Sequence, residues 1–260
     1  MQEEDTGKKI HKKEAVVSMQ GYIDIHSHIL PGVDDGAKNL AMSLQMLRIA
    51  QTQGIGEIIL TPHNKPMHRN ISPQSLLRHM EELQEAMQTE GINIRLYAGN
   101  EIYYRSDVVE LLEQGEACTM AGSSYVLVEF NPMDDFEYIR NGIYQLMAGG
   151  FKPILAHVER YKGVVSSIGR AEELVRMGCY LQVNAGSIIG KYGYMTKRFT
   201  KQMLKKRLVH FVATDAHRDE GNRAPYLQNC VKYIRGHYGE EYMRQLLQVN
   251  PRKIIADEYI

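Results

Sequence analysis

Between residues 22 and 214 the chain alternates short apolar or β-branched runs with longer amphipathic stretches. The short runs fall at 22–26, 57–61, 94–98, 125–130, 153–157, 180–184 and 209–214, and they predict seven strands. Apolar positions three and four apart predict helices over 38–53, 73–89, 107–114, 135–148, 171–177 and 196–207, with two more over 225–237 and 240–248. Ser72 before Pro73 reads as an N-cap and first-turn pair, and Gly54, Gly91 and Gly178 stand where left-handed C-caps belong. Strands alternating with helices pair in parallel through right-handed crossovers, so the pattern implies an α/β fold, either a barrel or a doubly wound sheet. No linker or repeat breaks the series, and 21–260 is read as one domain. Residues 1–20 lack any period and read as a flexible tail, with Met19 as an alternative start.

The distribution of reactive residues favours the barrel. His26 and His28 close the first run, His63 follows the second, Glu101 the third, Glu129 lies at the end of the fourth, His157 closes the fifth, and Asp215 and His217 follow the seventh. In a closed parallel barrel the C-terminal strand ends converge on one face, where catalytic groups gather. An open sheet would spread them along an edge.

Composition narrows the function classes. The chain has 260 residues, 43% hydrophobic and 24% charged, which is ordinary for a globular protein. Lys plus Arg and Asp plus Glu both number 31, so the formal charge is zero, which argues against nucleic acid or an anionic membrane held by bulk charge. Cys118, Cys179 and Cys230 are too few and too scattered for a disulfide framework or a CxxC knuckle, so a reducing cytoplasm is expected. No apolar run approaches a membrane span, and no secretory leader is evident. The charge is unevenly laid out: 81–137 carries thirteen acids against Arg95 and Arg105, whereas 174–214 has no acid and eight basic residues. Most of these charges read as solvated helix faces.

A lone histidine at a strand end is usually a hydrogen-bonded loop residue. The pair His26-Ser27-His28 is different, because period-two geometry turns both imidazoles to one side. Repetition of such placements at five strand ends points to a metal cluster, since so many imidazoles and carboxylates at one site require a cation to organise them. The donors are nitrogen and oxygen only, which suits Mn, Zn or Fe(II), and their number calls for more than one ion. Such ions form a clamp for phosphoester hydrolysis, one activating water while others hold phosphoryl oxygens. Arg160 and Arg223 are placed to fork onto a phosphate. Of the adjacent acids Asp34 and Asp35, Asp35 is chosen as the ligand. A cysteine-dependent phosphatase needs Arg six positions after its thiolate; Ser124, Ala185 and Gly236 stand there instead. No Walker-type or GxGxxG loop follows a strand, which weighs against nucleotide-driven transfer.

Asp24-Ile25-His26-Ser27-His28, Val33-Asp34-Asp35-Gly36, Thr61-Pro62-His63, Glu101-Ile102-Tyr103-Tyr104, Ala156-His157-Val158-Glu159-Arg160-Tyr161, Asp215-Ala216-His217 and Asn250-Pro251-Arg252-Lys253-Ile254-Ile255 together resemble the CpsB/CapC group of bacterial tyrosine-protein phosphatases. That group belongs to the polymerase and histidinol phosphatase (PHP) superfamily. The resemblance spans about residues 21–260 in motif order. It implies a distorted seven-stranded (β/α) barrel, TIM-barrel-like, holding three divalent ions, preferably Mn(2+), with Zn, Fe or Mg as substitutes. By motif, one ion would take His26, His28, Glu101 and Asp215; a second Glu101, Glu129 and His157; a third Asp35, His63 and His217. Arg160 and Arg223 would bind phosphate, and His217 with Asp35 would assist the leaving group. The implied partner is a phosphorylated tyrosine autokinase of capsule or exopolysaccharide export, in an enzyme free to oligomerise that neither binds nucleic acid nor inserts in a membrane. The chain departs from the pattern in its tail and in Arg-Ala-Pro-Tyr at 223–226, where a second proline is usual. A histidinol-phosphate type phosphatase shares the ligands and is the rival within the superfamily. An amidohydrolase also begins with HxH, but has no use for Glu101, Glu129 and the arginines.

Overall fold

A computed structural model describes residues 21–260. The tail expected over 1–20, and Met19 with it, lie outside the described residues. The elements are β1 (Tyr22–Ser27), α1 (Leu40–Thr52), β2 (Ile55–Leu60), β3 (His63–Asn64), α2 (Pro73–Thr89), β4 (Arg95–Ala98), β5 (Glu101–Tyr103), α3 (Val108–Glu113), β6 (Tyr125–Glu129), α4 (Phe136–Ala148), β7 (Lys152–Leu155), α5 (Lys162–Val165), α6 (Ile168–Met177), β8 (Tyr180–Asn184), α7 (Ala185–Ile189), α8 (Tyr194–Lys205), β9 (Phe211–Ala213), α9 (Gln228–Tyr238), α10 (Glu240–Arg244) and α11 (Asn250–Ile255).

Each of the seven apolar runs lies on a strand, and every strand pair is parallel. Hydrogen bonding divides the strands into a set β1-β2-β4 and a set β3-β5-β6-β7-β8-β9. The short β3 and β5, which the periodicity does not predict, arise where the chain steps from the first set to the second across Thr61-Pro62 and Gly99-Asn100. Their register sets His63 opposite Glu101, so a two-residue strand places two reactive side chains abreast. The sheet is curled, and β1 approaches the end of β9: Ser27 bridges Ala216, and the Asp24 carboxylate accepts from the backbone N–H and hydroxyl of Thr214.

Alternation of inward and outward side chains splits the core in two. Ile23, Ile25, Ile59, Tyr125, Leu127, Ile154 and Phe211 fill the inside of the curled sheet, while Val126, Val128 and Leu155 face the helices. The floor of the inner core is the C-terminal helix. Ile254 packs into it, Arg252 pairs with the buried Glu57 of β2, and the Asn250 amide donates to the His210 carbonyl at 2.8 Å. The carboxyl-terminal motif is therefore a structural plug at the strand starts. The helix predicted over 240–248 runs on through a π turn to Ile255, which brings that plug into place. Helix starts follow their caps: Asn39 holds the Met42 N–H, Ser72 that of Ser75, and Asp135 that of Tyr138.

Candidate metal centre

All nine sequence-nominated donors meet at the C-terminal ends of the strands. His26 and His28 are fully buried, with their Nε2 atoms 3.2 Å apart. Glu101 faces both: its Oε1 lies 3.2 Å from His26 Nε2 and its Oε2 3.2 Å from His28 Nε2. Asp215 Oδ1 lies 3.6 and 3.7 Å from the same two nitrogens. His157 Nε2 is 2.8 Å from Glu101 Oε1 and 3.7 Å from Glu129 Oε2. His63 Nδ1 sits 2.9 Å from Glu101 and 3.1 Å from Glu129, and its Nε2 3.3 Å from Asp35. His217 Nε2 completes the ring, 3.5 Å from Asp35 Oδ1. Grouped by proximity, donor atoms of His28, Asp35, His63 and His217 lie within 4.8 Å of one another, as do those of His26, His28 and Glu101, and those of His63, Glu101 and Glu129.

Hydrogen bonds behind the histidines orient them. The Gln182 amide oxygen accepts from the His157 backbone N–H at 2.7 Å and faces His26 Nδ1 at 3.1 Å, so an acceptor sits there and Nδ1 carries the proton. His28 Nδ1 donates to Asp34 at 2.7 Å, and His217 Nδ1 to the Asp215 carbonyl at 3.0 Å. In all three rings Nε2 is left without a proton, the tautomer a metal ligand needs. Asp34 also accepts from the Gly36 and His63 backbone N–H groups, which makes it a brace while Asp35 faces the centre. His157 and Asp215 both adopt left-handed backbone conformations, at φ 32 and φ 52, a strain of about 1 to 3 kcal/mol each that the surrounding contacts must hold.

The donor set fits divalent cations. Two imidazole lone pairs facing each other across 3.2 Å repel unless something positive lies between them and the carboxylates. The buried His63 Nδ1 and Glu129 Oε1 have no well-directed hydrogen-bond partner. Burial disfavours the charged form of His26, yet the Glu101 and Asp215 carboxylates outweigh it and raise the imidazole to about 9. His63 is opposed by burial too, and the surrounding Asp35, Glu101 and Glu129 carboxylates push it up to about 12. Burial pushes Glu101 upward, but the charge of His26 and the hydrogen bonds of His157, His26 and His28 hold it well below its ordinary value. Burial and the nearby His28 lower His217 to about 4. The His26 and His63 shifts have one cause, carboxylates that draw positive charge to the ring nitrogens, and divalent cations among the same atoms would supply that charge.

Arg160 and Arg223 converge from the open side, their side chains about one third exposed at 32% and 35%. Both lean on Asp215, Arg160 at 2.7 Å and Arg223 at 3.3 Å, and Arg223 also reaches His217 Nε2 at 2.8 Å. Several residues that frame the site escape motif reading. Gln182 and Asn184 are buried polar side chains on β8, and Asn184 donates to Asp215 at 2.8 Å; two amides in an otherwise apolar run were the available signal. Lys65 Nζ lies 3.1 Å from Glu129 and 3.1 Å from His63 Nε2, and nothing in its sequence context marks it. Arg218 clasps the Asp35 carbonyl at 2.5 Å and that of Gly36 at 3.2 Å, holding the turn that carries Asp35. The three cysteines are free thiols and none is among the clustered donors, and burial pushes the Cys179 thiol up to about 12.

The family profile described as "Capsular polysaccharide synthesis, CpsB/CapC" matches residues 22–256. The tyrosine-protein phosphatase CpsB of Streptococcus pneumoniae is 34% identical over 244 residues, spanning 92% of this chain and 100% of its own length. The tyrosine-protein phosphatase YwqE of Bacillus subtilis is 32% identical over 240 residues, with 92% and 93% covered. A crystal structure from work on YwqE and CpsB, described as unique metal-dependent tyrosine phosphatases, superposes with a TM-score of 0.86 at 30% identity, covering 92% of this chain and 96% of that one. A more distant likeness, TM-score 0.58 at 12% identity, to an organophosphorus hydrolase variant of Deinococcus radiodurans, covering 91% and 92%, shows a shared fold alone. Together with the mixed α/β, TIM-like curled sheet and the metal-ready cluster, these matches establish that the chain belongs to the CpsB/CapC family.

Proposed function

We propose that the chain is a metal-dependent tyrosine-protein phosphatase that hydrolyses phosphotyrosine on a tyrosine autokinase of a polysaccharide export system, in the cytoplasm. The observation that carries the metal reading is the meeting of the His26 and His28 Nε2 atoms with both oxygens of Glu101 at 3.2 Å. The curled sheet is read as a distorted seven-stranded barrel, with β3 and β5 as extensions of β2 and β4, and residues 21–260 as one domain. His26, His28, Glu101 and Asp215 would hold one ion, Glu101, Glu129 and His157 a second, and Asp35, His63 and His217 a third, with Mn(2+) preferred. When bound, such ions polarise phosphoryl oxygens and lower the pKa of water.

The protein's own groups bind and orient. Arg160 and Arg223, anchored on the two oxygens of Asp215, present their remaining N–H donors to the mouth, where a phosphate dianion accepts them. Two guanidiniums braced on one carboxylate restrict the phosphate to a single orientation, with its ester oxygen turned away from the buried carboxylates. Asp35, 60% exposed in its side chain, stands at the open rim with the buried His217 beneath it at 3.5 Å, and the pair is assigned to orienting a solvent water that gives its proton to the departing tyrosyl oxygen.

The test is turnover of a phosphotyrosine peptide by metal-loaded protein, beside histidinol phosphate. A kcat/KM at least tenfold higher on the peptide is expected, with loss of turnover but not of folding in His157→Ala and Glu101→Gln. Full activity in either variant would overturn the site assignment, and preference for histidinol phosphate would overturn the substrate class.

A further inference from the structure

The acid-free stretch of the sequence builds a feature the catalytic site does not use. Lys197, Lys201 and Lys205 recur every four residues on α8, with Arg198 beside them, so all four line one side of the helix. With Tyr194 and Tyr238 they enclose an open groove of about 500 Å³ that contains no acidic residue. Among the described residues none of these four cations makes a salt bridge, whereas Lys206, next along the helix, pairs with Glu172. Lys197 donates to the Ile189 carbonyl at 3.3 Å, and Lys201 lies over the Tyr233 ring at 5.1 Å. Both contacts hold the ammonium groups along the groove and leave their charge unanswered. Among the described residues four cations without an ion-pair partner make a positive patch on a chain of zero net charge; Glu159 lines a neighbouring cavity with Arg198 and forms no ion pair with it.

The groove leads away from the catalytic mouth. The Tyr192 ring lies 5.8 Å from the Arg160 guanidinium, and its hydroxyl donates to the Asn222 carbonyl, next to Arg223. Two residues later Tyr194 begins α8, and at 1.5 Å per residue the helix runs on for roughly 16 Å to Lys205. An extended peptide covers that distance in about five residues. Exposed Tyr194, at 75%, offers a flat apolar flank along the way.

We propose that this groove docks an anionic segment, rich in carboxylates or further phosphates, that flanks the phosphotyrosine in the protein substrate. The proposal rests on the phosphatase reading above. Charge complementarity selects the occupant: the catalytic mouth takes the scissile phosphate through Arg160 and Arg223, and α8 holds the neighbouring acidic chain. Substrates with such a segment then gain in KM, with a salt dependence, while the chemistry at the mouth is unchanged.

The test compares wild type with Lys197→Glu/Lys201→Glu/Lys205→Glu, metal-loaded, on three substrates: a phosphotyrosine peptide with a six-glutamate flank, the same peptide with six glutamines, and 4-nitrophenyl phosphate. The triple variant is expected to raise KM for the glutamate peptide by about tenfold or more at low salt, with kcat unchanged and the other two substrates unaffected. The wild-type preference should fade as salt rises. Equal KM values for the two peptides in wild type would overturn the proposal, and so would a parallel loss on all three substrates. A lysine to glutamine triple variant separates lost attraction from a folding defect, and should show an intermediate KM at an unchanged Tm. Two further results would also overturn it: tighter binding of duplex DNA or phosphatidylserine vesicles than of the glutamate peptide, or a wild-type dimer in sedimentation that the reversal abolishes. If wild type turns over neither phosphopeptide, the phosphatase reading itself has failed, which is distinguishable from loss of flank preference.

Discussion

Gln182→Met tests whether the histidine geometry is built from behind. The glutamine is fully buried, and its carbonyl oxygen serves two donors, His26 Nδ1 at 3.1 Å and the His157 backbone N–H at 2.7 Å, while its amide donates to Asn184 at 2.8 Å. Methionine matches the volume and supplies no comparable acceptor, so two buried donors and the Asn184 oxygen lose their partner. Each orphaned buried donor costs about 1 to 3 kcal/mol, giving a total of about 2 to 6 kcal/mol. For a domain of this size that corresponds to a fall in Tm of roughly 4 to 24 °C. The second consequence is separable. Without Gln182 the His26 ring is free to change tautomer, and loss of such a support typically costs about 10- to 100-fold in metal affinity. Calorimetric unfolding measures the first effect, and Mn(2+) titration of the apoprotein the second. Gln182→Glu should restore the acceptor and recover part of the affinity. If Gln182→Met keeps the wild-type Tm and Mn(2+) affinity, the proposed control of His26 from behind is wrong.

Three further expectations concern the frame around the centre. A Cβ at Gly36 would lie 2.0 Å from the His28 carbonyl oxygen and 2.5 Å from its Cβ, so Gly36→Ala must displace the turn carrying Asp34 and Asp35; Mn(2+) binding should weaken at least tenfold, and unchanged binding would refute the close approach. Glu57, held below its ordinary 4.5 against the pull of burial by Arg252 and Tyr97, contributes stability that is fully present at neutral pH and erodes as pH falls below 4.5. Glu57→Gln should therefore cost about 1.5 to 3 kcal/mol in denaturant unfolding at pH 7, and the gap to wild type should narrow on acidification; a gap independent of pH would contradict the linkage. Chelation should lower Tm, because an ion binding only the folded chain at a hundredfold excess over its Kd contributes about 2.7 kcal/mol, and a Tm indifferent to EDTA would refute metal binding to the cluster.

How far the sequence discloses this molecule depends on how local each signal is. Strand and helix alternation is local, and the apolar runs locate their strands because burial on both faces of a parallel sheet demands continuous apolar chain. The steps at Thr61-Pro62 and Gly99-Asn100 are not local: β3 and β5 exist only because neighbouring strands present ladders to pair with, and two or three residues carry no period of their own. Donors at strand ends are legible because strand ends are legible, which is why His26, His157 and Asp215 could be nominated without coordinates. Their supports lie farther off in sequence. Gln182 serves His26 from 156 residues away, and Asn184 serves Asp215 from 31, so their roles follow from topology and not from spacing. Composition misleads in one respect, since a formal charge of zero conceals two opposed features. The buried carboxylates gather where the strands converge, and cations without an ion-pair partner among the described residues gather on α8. A phosphorylated, acidic chain would be drawn along the helix by the second before the first has any part in its hydrolysis, so the electrostatics relevant to recognition and to chemistry occupy different surfaces of a nominally neutral protein.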